Sequence, residues 1–304
     1  MATPNAEHLA WAVSVLGAET AADVRGLRDG GAPWLINANR TSDGRTVRAV
    51  LRVTAAGPGE DAPPTAREHA GMNAAASAGI PVPQVLGEHV VDGSALLLIE
   101  YLPGSSAQPM RADAARLRTL GATAAAIFRA TPSPAAAALM PAVEHPIPSV
   151  DFAALRAQAD PQPLLVEAEG RVSELTVADP VGFVHGDLWS GNTLWEVGDL
   201  RAVLDWDCAG VGAAGVDLGS LRCDAAMCFG GDAADEVLAG WESAAGRAAD
   251  SVAYWDVVAA LSTPPDIAWF APAIAGMTER PDLTASMLRE RRDAFLADAL
   301  RRLG

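Results

Sequence analysis

The sequence predicts a mixed α+β chain, with strands gathered near the N-terminus and helices filling the rest. Three observations predict it. Before residue 103, short apolar runs alternate with clusters of turn residues. Beyond Met110 the apolar positions take up the helical period, most plainly over Ala114 to Ala130. A Gly-Asp pair at 198–199 with apolar flanks adds a hairpin inside the helical part.

Each element follows from local signals. Residues 6–28 contain helical stretches, Glu7-His8-Leu9-Ala10-Trp11-Ala12-Val13 among them. Asp29-Gly30-Gly31-Ala32-Pro33 reads as a turn. Trp34 to Asn39 is a strand, Ser42-Asp43-Gly44-Arg45 a turn, and Thr46 to Val53 the return strand. Gly57 to Pro64 is a loop. Thr65 opens a helix that runs to about Ala78 and stops at Gly79. Ile80 to Leu86 leads to the next strand. Ala95 to Leu102 is a buried strand, ended by Pro103-Gly104. Pro132 to Pro148 is Pro- and Ala-rich, a loop with short helical pieces. Helices follow over Asp151 to Asp160, over Leu164 to Leu175, from Gly215 to about Phe229, and near 233–246, 251–262 and 283–303. No internal repeat is present.

Composition bounds the function. A chain of 304 residues suits one large domain or two lobes around a cleft. No apolar run is long enough for a membrane span, and the first residues lack the basic and apolar regions of a signal peptide. Cys208, Cys223 and Cys228 are odd in number and lack metal-ligand spacing, which points to reduced thiols and a cytoplasmic location. The net charge of −16 argues against nucleic acid as a partner. It suits a cationic partner, or simply reflects composition and solubility. All 22 basic residues are Arg; there is no Lys.

The most informative stretch is His185-Gly186-Asp187-Leu188-Trp189-Ser190-Gly191-Asn192, followed by Leu204-Asp205-Trp206-Asp207. Asn192 lies six residues before Gly198, and Asp205 six after Asp199. Equal spacing about the turn sets the two opposite each other, about 5 Å apart as cross-strand neighbours. One amide oxygen and one carboxylate suit Mg²⁺, which takes one or two carboxylates and completes its shell with phosphate and water. Asp187, on the loop just upstream, is placed to act as a general base on a hydroxyl. His185 reads as the organiser of that loop. An Asp, an Asn five residues later and a second Asp beyond a hairpin recur in phosphoryl transfer.

These residues resemble the aminoglycoside phosphotransferase family, small-molecule kinases related to choline kinases and, more distantly, to protein kinases. That family reads His-Gly-Asp-x-x-x-x-Asn and then Ile/Leu-Asp-Trp/Phe. The resemblance implies a protein-kinase-like two-lobe fold. Residues 1–102 would form a small N-terminal nucleotide-binding lobe, an antiparallel sheet plus a helix ending in a hinge. Residues 103–304 would form a larger, mostly helical lobe for catalysis and acceptor binding. It also implies Asp187 as catalytic base, Asn192 and Asp205 as Mg²⁺ ligands, ATP or GTP as donor, and Asp217 as the anchor of the catalytic loop.

The remaining nucleotide contacts follow the same resemblance. Arg52, in Val50-Leu51-Arg52-Val53, takes the position of the nucleotide-contacting base, which no Lys can fill here. Arg is permanently charged and binds phosphate with a two-pronged fork. Glu68 would orient Arg52; alternatively it closes a capping box with Thr65. Gly31 and its neighbours would offer backbone to phosphate. The Glu100 carbonyl and the Leu102 amide would read adenine, with Ile99 behind the base.

The acceptor would bring a hydroxyl to Asp187. Asp207 points the same way as Asp205 on an extended segment, and contacts metal or a cationic acceptor, or is a solvated Asp. The C-terminal part offers Trp241, Glu242, Trp255, Asp256, Asp266, Trp269 and Phe270. Acids beside aromatics suit a sugar or amine, although Trp at helical spacing also builds core. Asp266 and Trp269, after Pro264-Pro265, lead this set. The sequence therefore predicts an ATP-dependent O-phosphotransferase acting on a small molecule, foremost an aminoglycoside-like or other antibiotic. The alternatives are a metabolic kinase for a sugar, amino alcohol or nucleoside, and a non-catalytic nucleotide-binding scaffold.

Overall fold

The computed structural model describes residues 3–28, 31–55 and 64–303. Asp29, Gly30 and residues 56–63, from the predicted turn and loop, lie outside them. The chain begins with α1 (Ala6–Val15), β1 (Ala18–Arg28), β2 (Gly31–Arg40), β3 (Thr46–Ala55), α2 (Pro64–Ser77), β4 (Val85–Val91) and β5 (Ser94–Glu100). The five strands form one antiparallel sheet in the order β1-β2-β3-β5-β4.

Alternation along β3 and β5 divides their side chains between two faces. Ala49, Leu51, Val53, Leu96 and Leu98 join Ala12 and Val13 of α1 in one cluster. Val50, Leu97 and Ile99 join Met72 and Ala75 of α2 in another. With both faces covered, β5 is apolar throughout its centre. Arg52 shares the α2 face with Val50, which turns its guanidinium toward the helix that carries Glu68.

The N-terminus departs from expectation. Only its first ten residues are helical, capped where Asn5 accepts from the His8 amide at 2.9 Å. Gly17, at φ +67°, turns the chain, and Ala18–Arg28 is a strand. The reason is its edge position. Of β1 only Ala18 is buried, so no apolar alternation marks it, and pairing to β2 holds it.

The rest of the chain comprises α3 (Ala114–Arg129), α4 (Pro134–Ala137), β6 (Ala142–Val143), α5 (Phe152–Ala157), α6 (Pro163–Ser173), β7 (Val181–Val184), β8 (Thr193–Glu196), β9 (Asp199–Val203), β10 (Gly210–Ala213), α7 (Gly215–Phe229), α8 (Gly231–Ala245), α9 (Val252–Leu261), α10 (Ala271–Met277) and α11 (Ala285–Leu303). None of the described helices is long and apolar enough to cross a membrane. Helices α3 and α8 meet at two glycines. A Cβ on Gly121 would lie 1.9 Å from the Val237 carbonyl oxygen, and one on Gly240 would lie 2.1 Å from that of Arg118. Helix α7 is buried along most of its length, and its Arg222 ties α9 through both oxygens of Asp256, at 2.8 and 2.9 Å.

Two small sheets position the site. In the sheet β6-β10-β7, Gly210 of β10 pairs antiparallel with Val184 of β7. The residues entering β10, Trp206 to Cys208, therefore lie beside those leaving β7, His185 to Asp187. The second sheet is the hairpin β8-β9, and its turn differs from the predicted one. Val197 and Gly198 are the central residues, both left-handed at φ +50° and +88°, and Glu196 pairs with Asp199. Gly198 takes the second turn position, as in an Asn-Gly turn. Arg201 is bulged, so the ladder shifts and Asn192 faces Leu204 instead of Asp205; the Leu204 amide donates to the Asn192 carbonyl at 2.8 Å.

Val197 is 99% exposed and β-branched at a left-handed position. Val197→Asn removes steric strain without loss of packing and should stabilise the fold by about 1 kcal/mol. Chemical denaturation should show a higher midpoint at unchanged slope; a lower midpoint would contradict the turn assignment.

Candidate active site

The loop after β7 is fixed from below by Asp217. Its carboxylate accepts the amides of His185 at 2.8 Å and Gly186 at 2.9 Å. Burial pushes Asp217 up to about 6 against those two bonds. Gly186 is left-handed at φ +82°, and a Cβ there would sit 2.2 Å from the Cys208 carbonyl oxygen. Only Gly lets the loop approach the Asp205 segment this closely.

His185 is fully buried and organises the loop. Its Nε2 lies 2.9 Å from the Leu204 carbonyl oxygen, and its Nδ1 accepts the Asp187 amide at 3.2 Å. These two contacts require a neutral ring protonated at Nε2. Burial lowers its pKa to about 4, which keeps it neutral. Trp206 packs on it at 4.5 Å between ring centroids and stacks on Phe183.

Asp187 and Asn192 are joined directly. The Asn192 Nδ2 donates to the Asp187 carbonyl oxygen at 2.9 Å and to its Oδ2 at 3.0 Å. That orientation commits the amide nitrogen and leaves the amide oxygen as the atom that could hold a cation. Asp205, left-handed at φ +67°, opens the one-turn helix Trp206–Cys208. Burial first, then the charge of Asp205, pushes Asp187 up to about 8.

Arg52 is the hub of the opposite wall. Its Nη1 meets Glu68 Oε1 at 2.9 Å and Asp205 Oδ1 at 2.5 Å, while its Nη2 lies 3.5 Å from Asp207 Oδ2. Glu68 thus orients Arg52 as expected. The alternative capping box is not formed: Thr65 Oγ1 has no hydrogen-bond partner among the described residues. Burial alone would lower the Arg52 pKa, yet Glu68, Asp205 and Asp207 together raise it. Burial pushes Glu68 up, against the pull of Arg52. Asp207 also moves up, through burial and Asp205. Helix α2 comes close because of Gly71, whose Cβ would lie 3.0 Å from that of Ala209 and 3.2 Å from that of Trp206.

Of two further residues at the site, only the second carried a signal in the sequence. Arg28, at the end of the unforeseen strand β1, lies 3.7 Å from Asp205 Oδ2. Asp224 accepts the Ser190 amide at 3.1 Å and hydroxyl at 2.5 Å, which fixes the loop after β7 a second time. It follows Asp217 by seven residues, two helical turns, so both acids lie on one face of α7. That spacing was a usable clue.

A cavity of about 260 Å³ adjoins Asp187, with Trp189, Asp224, Met227, Phe270 and Ile274 among its walls. Asp266 and Trp269 do not line it. Asp266 caps a turn through the Ala268 amide at 3.0 Å and pairs with Arg289 at 3.0 Å. Trp269 is 62% exposed and stacks on Phe270, which takes the cavity wall in its place. Asp207 faces Arg52, outside the cavity lining. Trp241, Trp255 and Asp256 belong to the core. On the sheet side, Ile99 is buried on the Arg52 face, Glu100 ends β5, Leu102 follows it, and Gly31 opens β2 opposite Arg28.

Comparisons place this geometry among known proteins. Residues 36–261 match the model of the phosphotransferase enzyme family. A search of curated protein sequences finds no match. Among solved structures, the chain is similar to the macrolide 2'-phosphotransferase MphH from Brachybacterium faecium, at 21% identity and a TM-score of 0.59, over 93% of this chain and 96% of that one. It is also similar to a thermostable mutant of aminoglycoside phosphotransferase APH(4)-Ia in complex with ADP and hygromycin B, at 16% identity and a TM-score of 0.58, over 95% and 97% of the two chains. A third is spectinomycin phosphotransferase APH(9)-Ia with ADP and spectinomycin, at 12% identity and a TM-score of 0.57, over 92% and 91%. These likenesses bear out the kinase-like α+β fold.

The raised pKa of Asp187 gives a stability signature. The folded carboxyl holds its proton up to about 8, whereas the unfolded one releases it near 3.8. The folded state binds more protons in that window, so Asp187 makes stability fall as pH rises through it. The melting temperature of Asp187→Asn relative to wild type should therefore increase from about pH 5 to about pH 9 in thermal-shift measurements. A pH-independent difference would contradict the burial of this carboxyl.

Proposed function

The chain belongs to the phosphotransferase enzyme family and is a small-molecule kinase, and on that premise we propose that it transfers the γ-phosphoryl group of ATP to a hydroxyl of a small-molecule antibiotic. The observation that carries this reading is the convergence of Asp187, Asn192, Asp205 and Arg52 beside a cavity that Asp187 itself lines. The related structures hold ADP with hygromycin B or with spectinomycin, which supports a nucleotide donor and an antibiotic acceptor. The sheet lobe, residues 1–102, would hold the nucleotide through Ile99, Glu100, Leu102 and Gly31, and residues 103–304 the acceptor. A cytoplasmic location fits the free thiols of Cys208, Cys223 and Cys228.

Asp187 receives the acceptor proton. A base with a pKa near the working pH is the most effective one, and the value of about 8 suits that role. The Asn192 amide holds Asp187 Oδ2 and thereby fixes the direction of the carboxylate. Arg52 offers its fork to the phosphates, held from behind by Glu68. The donor set suits Mg²⁺: the Asn192 amide oxygen and Asp205 are hard oxygen ligands, with Asp207 adjacent. When bound, Mg²⁺ neutralises charge on the phosphates.

Two variants test the assignments. Asp187→Ala should lower kcat by about 10²–10⁴-fold while binding of a non-hydrolysable ATP analogue stays near wild type; full retained turnover would remove Asp187 from the chemistry. Arg52→Lys keeps the charge but loses the second nitrogen, which faces Asp207 while the first meets Glu68 and Asp205. Nucleotide affinity should fall about tenfold, or ~1.4 kcal/mol, by calorimetric titration. Unchanged affinity and turnover would dismiss Arg52 as a phosphate ligand.

A further inference from the structure

The cavity beside Asp187 carries information about the acceptor, because several of its polar side chains are already engaged. Its walls are mainly apolar, with Ile147, Val150, Met227, Ala259, Phe270 and Ile274 among them. The Ser262 hydroxyl donates to the Val258 carbonyl at 2.8 Å, and that of Thr263 to the Ala260 carbonyl at 2.7 Å. Asp224 accepts twice from Ser190 and faces Cys228 Sγ at 3.6 Å. Of the two carboxylates lining the cavity, this leaves Asp187 alone for an acceptor.

Local backbone conformation supports an occupied surface at this place. Ile147 is β-branched yet left-handed at φ +56°, held there as its amide donates to the Gly186 carbonyl at 2.7 Å. This sets an apolar side chain beside the catalytic loop, and such strain concentrates at functional sites. The indole of Trp189 lies over Gly191, where a Cβ would come within 2.2 Å of the ring, and forms another wall. An aminocyclitol with several ammonium groups would have to shed their hydration against these walls and would find two carboxylates, one already holding Ser190 and the other reserved for the reacting hydroxyl. Unpaired charges are strongly disfavoured there.

We infer that the acceptor is an uncharged, largely apolar alcohol, whose hydrocarbon body fills this cavity and whose hydroxyl points to Asp187. The inference rests on the kinase reading of the same site and narrows it, setting a polycationic acceptor aside. Binding tests it separately from catalysis. Saturation-transfer NMR on the full chain would compare chloramphenicol and cyclohexylmethanol with kanamycin A and 2-deoxystreptamine. Both neutral alcohols should bind and both polyamines should not.

Ala273 lines the cavity from an exposed position on α10, so a larger residue is tolerated there. Ala273→Glu should weaken the neutral alcohols at least about tenfold, whereas Ala273→Leu should retain them. Tighter binding of kanamycin A, indifference of the neutral alcohols to Ala273→Glu, or no binding by either neutral alcohol would overturn the inference. Failure of the kinase reading would appear elsewhere, as turnover indifferent to Asp187→Ala.

Discussion

One guanidinium holds three parts of this molecule together. Arg52 reaches Glu68 on α2, Asp205 at the open end of the hairpin, and Asp207 two residues further on. It comes from a strand whose neighbours Leu51 and Val53 pack the other way, so the two-residue period of β3 aims it. Removing one partner from a buried ion pair leaves an uncompensated charge, which costs several kcal/mol. The sheet, the helix and the Asp205–Asp207 segment are therefore placed with respect to one another by electrostatics as well as by apolar contact. A Lys here would present one point charge, whereas the Arg fork meets Glu68 and Asp205 with one nitrogen and Asp207 with the other.

The other half of the site is built by backbone. Antiparallel pairing of β7 with β10 brings two loops side by side, and Asp217 pins the first through two amides. His185 then bridges them, with one ring nitrogen toward Leu204 and the other toward Asp187. Its neutrality follows from burial, so this bridge does not titrate near neutral pH. Asp224 adds a second pin at Ser190. Asp187 and Asn192 thus occupy a loop whose position is determined from both ends.

What could be read from the chain depended on the range of the signal. The grouping of Asp187, Asn192 and Asp205 was legible because they share one short loop-and-hairpin segment. The Arg52–Glu68 pair was legible because strand and helix periods define faces. Strand β1 was not, since an exposed edge strand needs no apolar alternation and its Ala-rich sequence resembles a helix. The hairpin turn was placed one residue late because Val197 occupies a position that Asn or Gly normally takes. Arg28 and the choice of Phe270 over Trp269 at the cavity depend on long-range packing, which neither spacing nor propensity encodes.

The pKa shifts around Arg52 have two causes, burial for the acids and neighbouring charge for the cation. Asp187, Glu68 and Asp207 all move up, and Arg52 moves up as well. Carboxylates rise when desolvated beside other negative charge, and a cation rises when anions surround it. Asp205, bonded most closely to Arg52, moves down instead, and around it the cluster holds more carboxylate than neighbouring cation. Arg28 relieves Asp205 from a solvent-exposed distance of 3.7 Å, and Arg67 reaches only the Asp207 backbone, at 3.2 Å. Protons on the acids balance part of that excess. A divalent cation with oxygen preference would balance it more completely, and Asp187 would then lose its proton more readily.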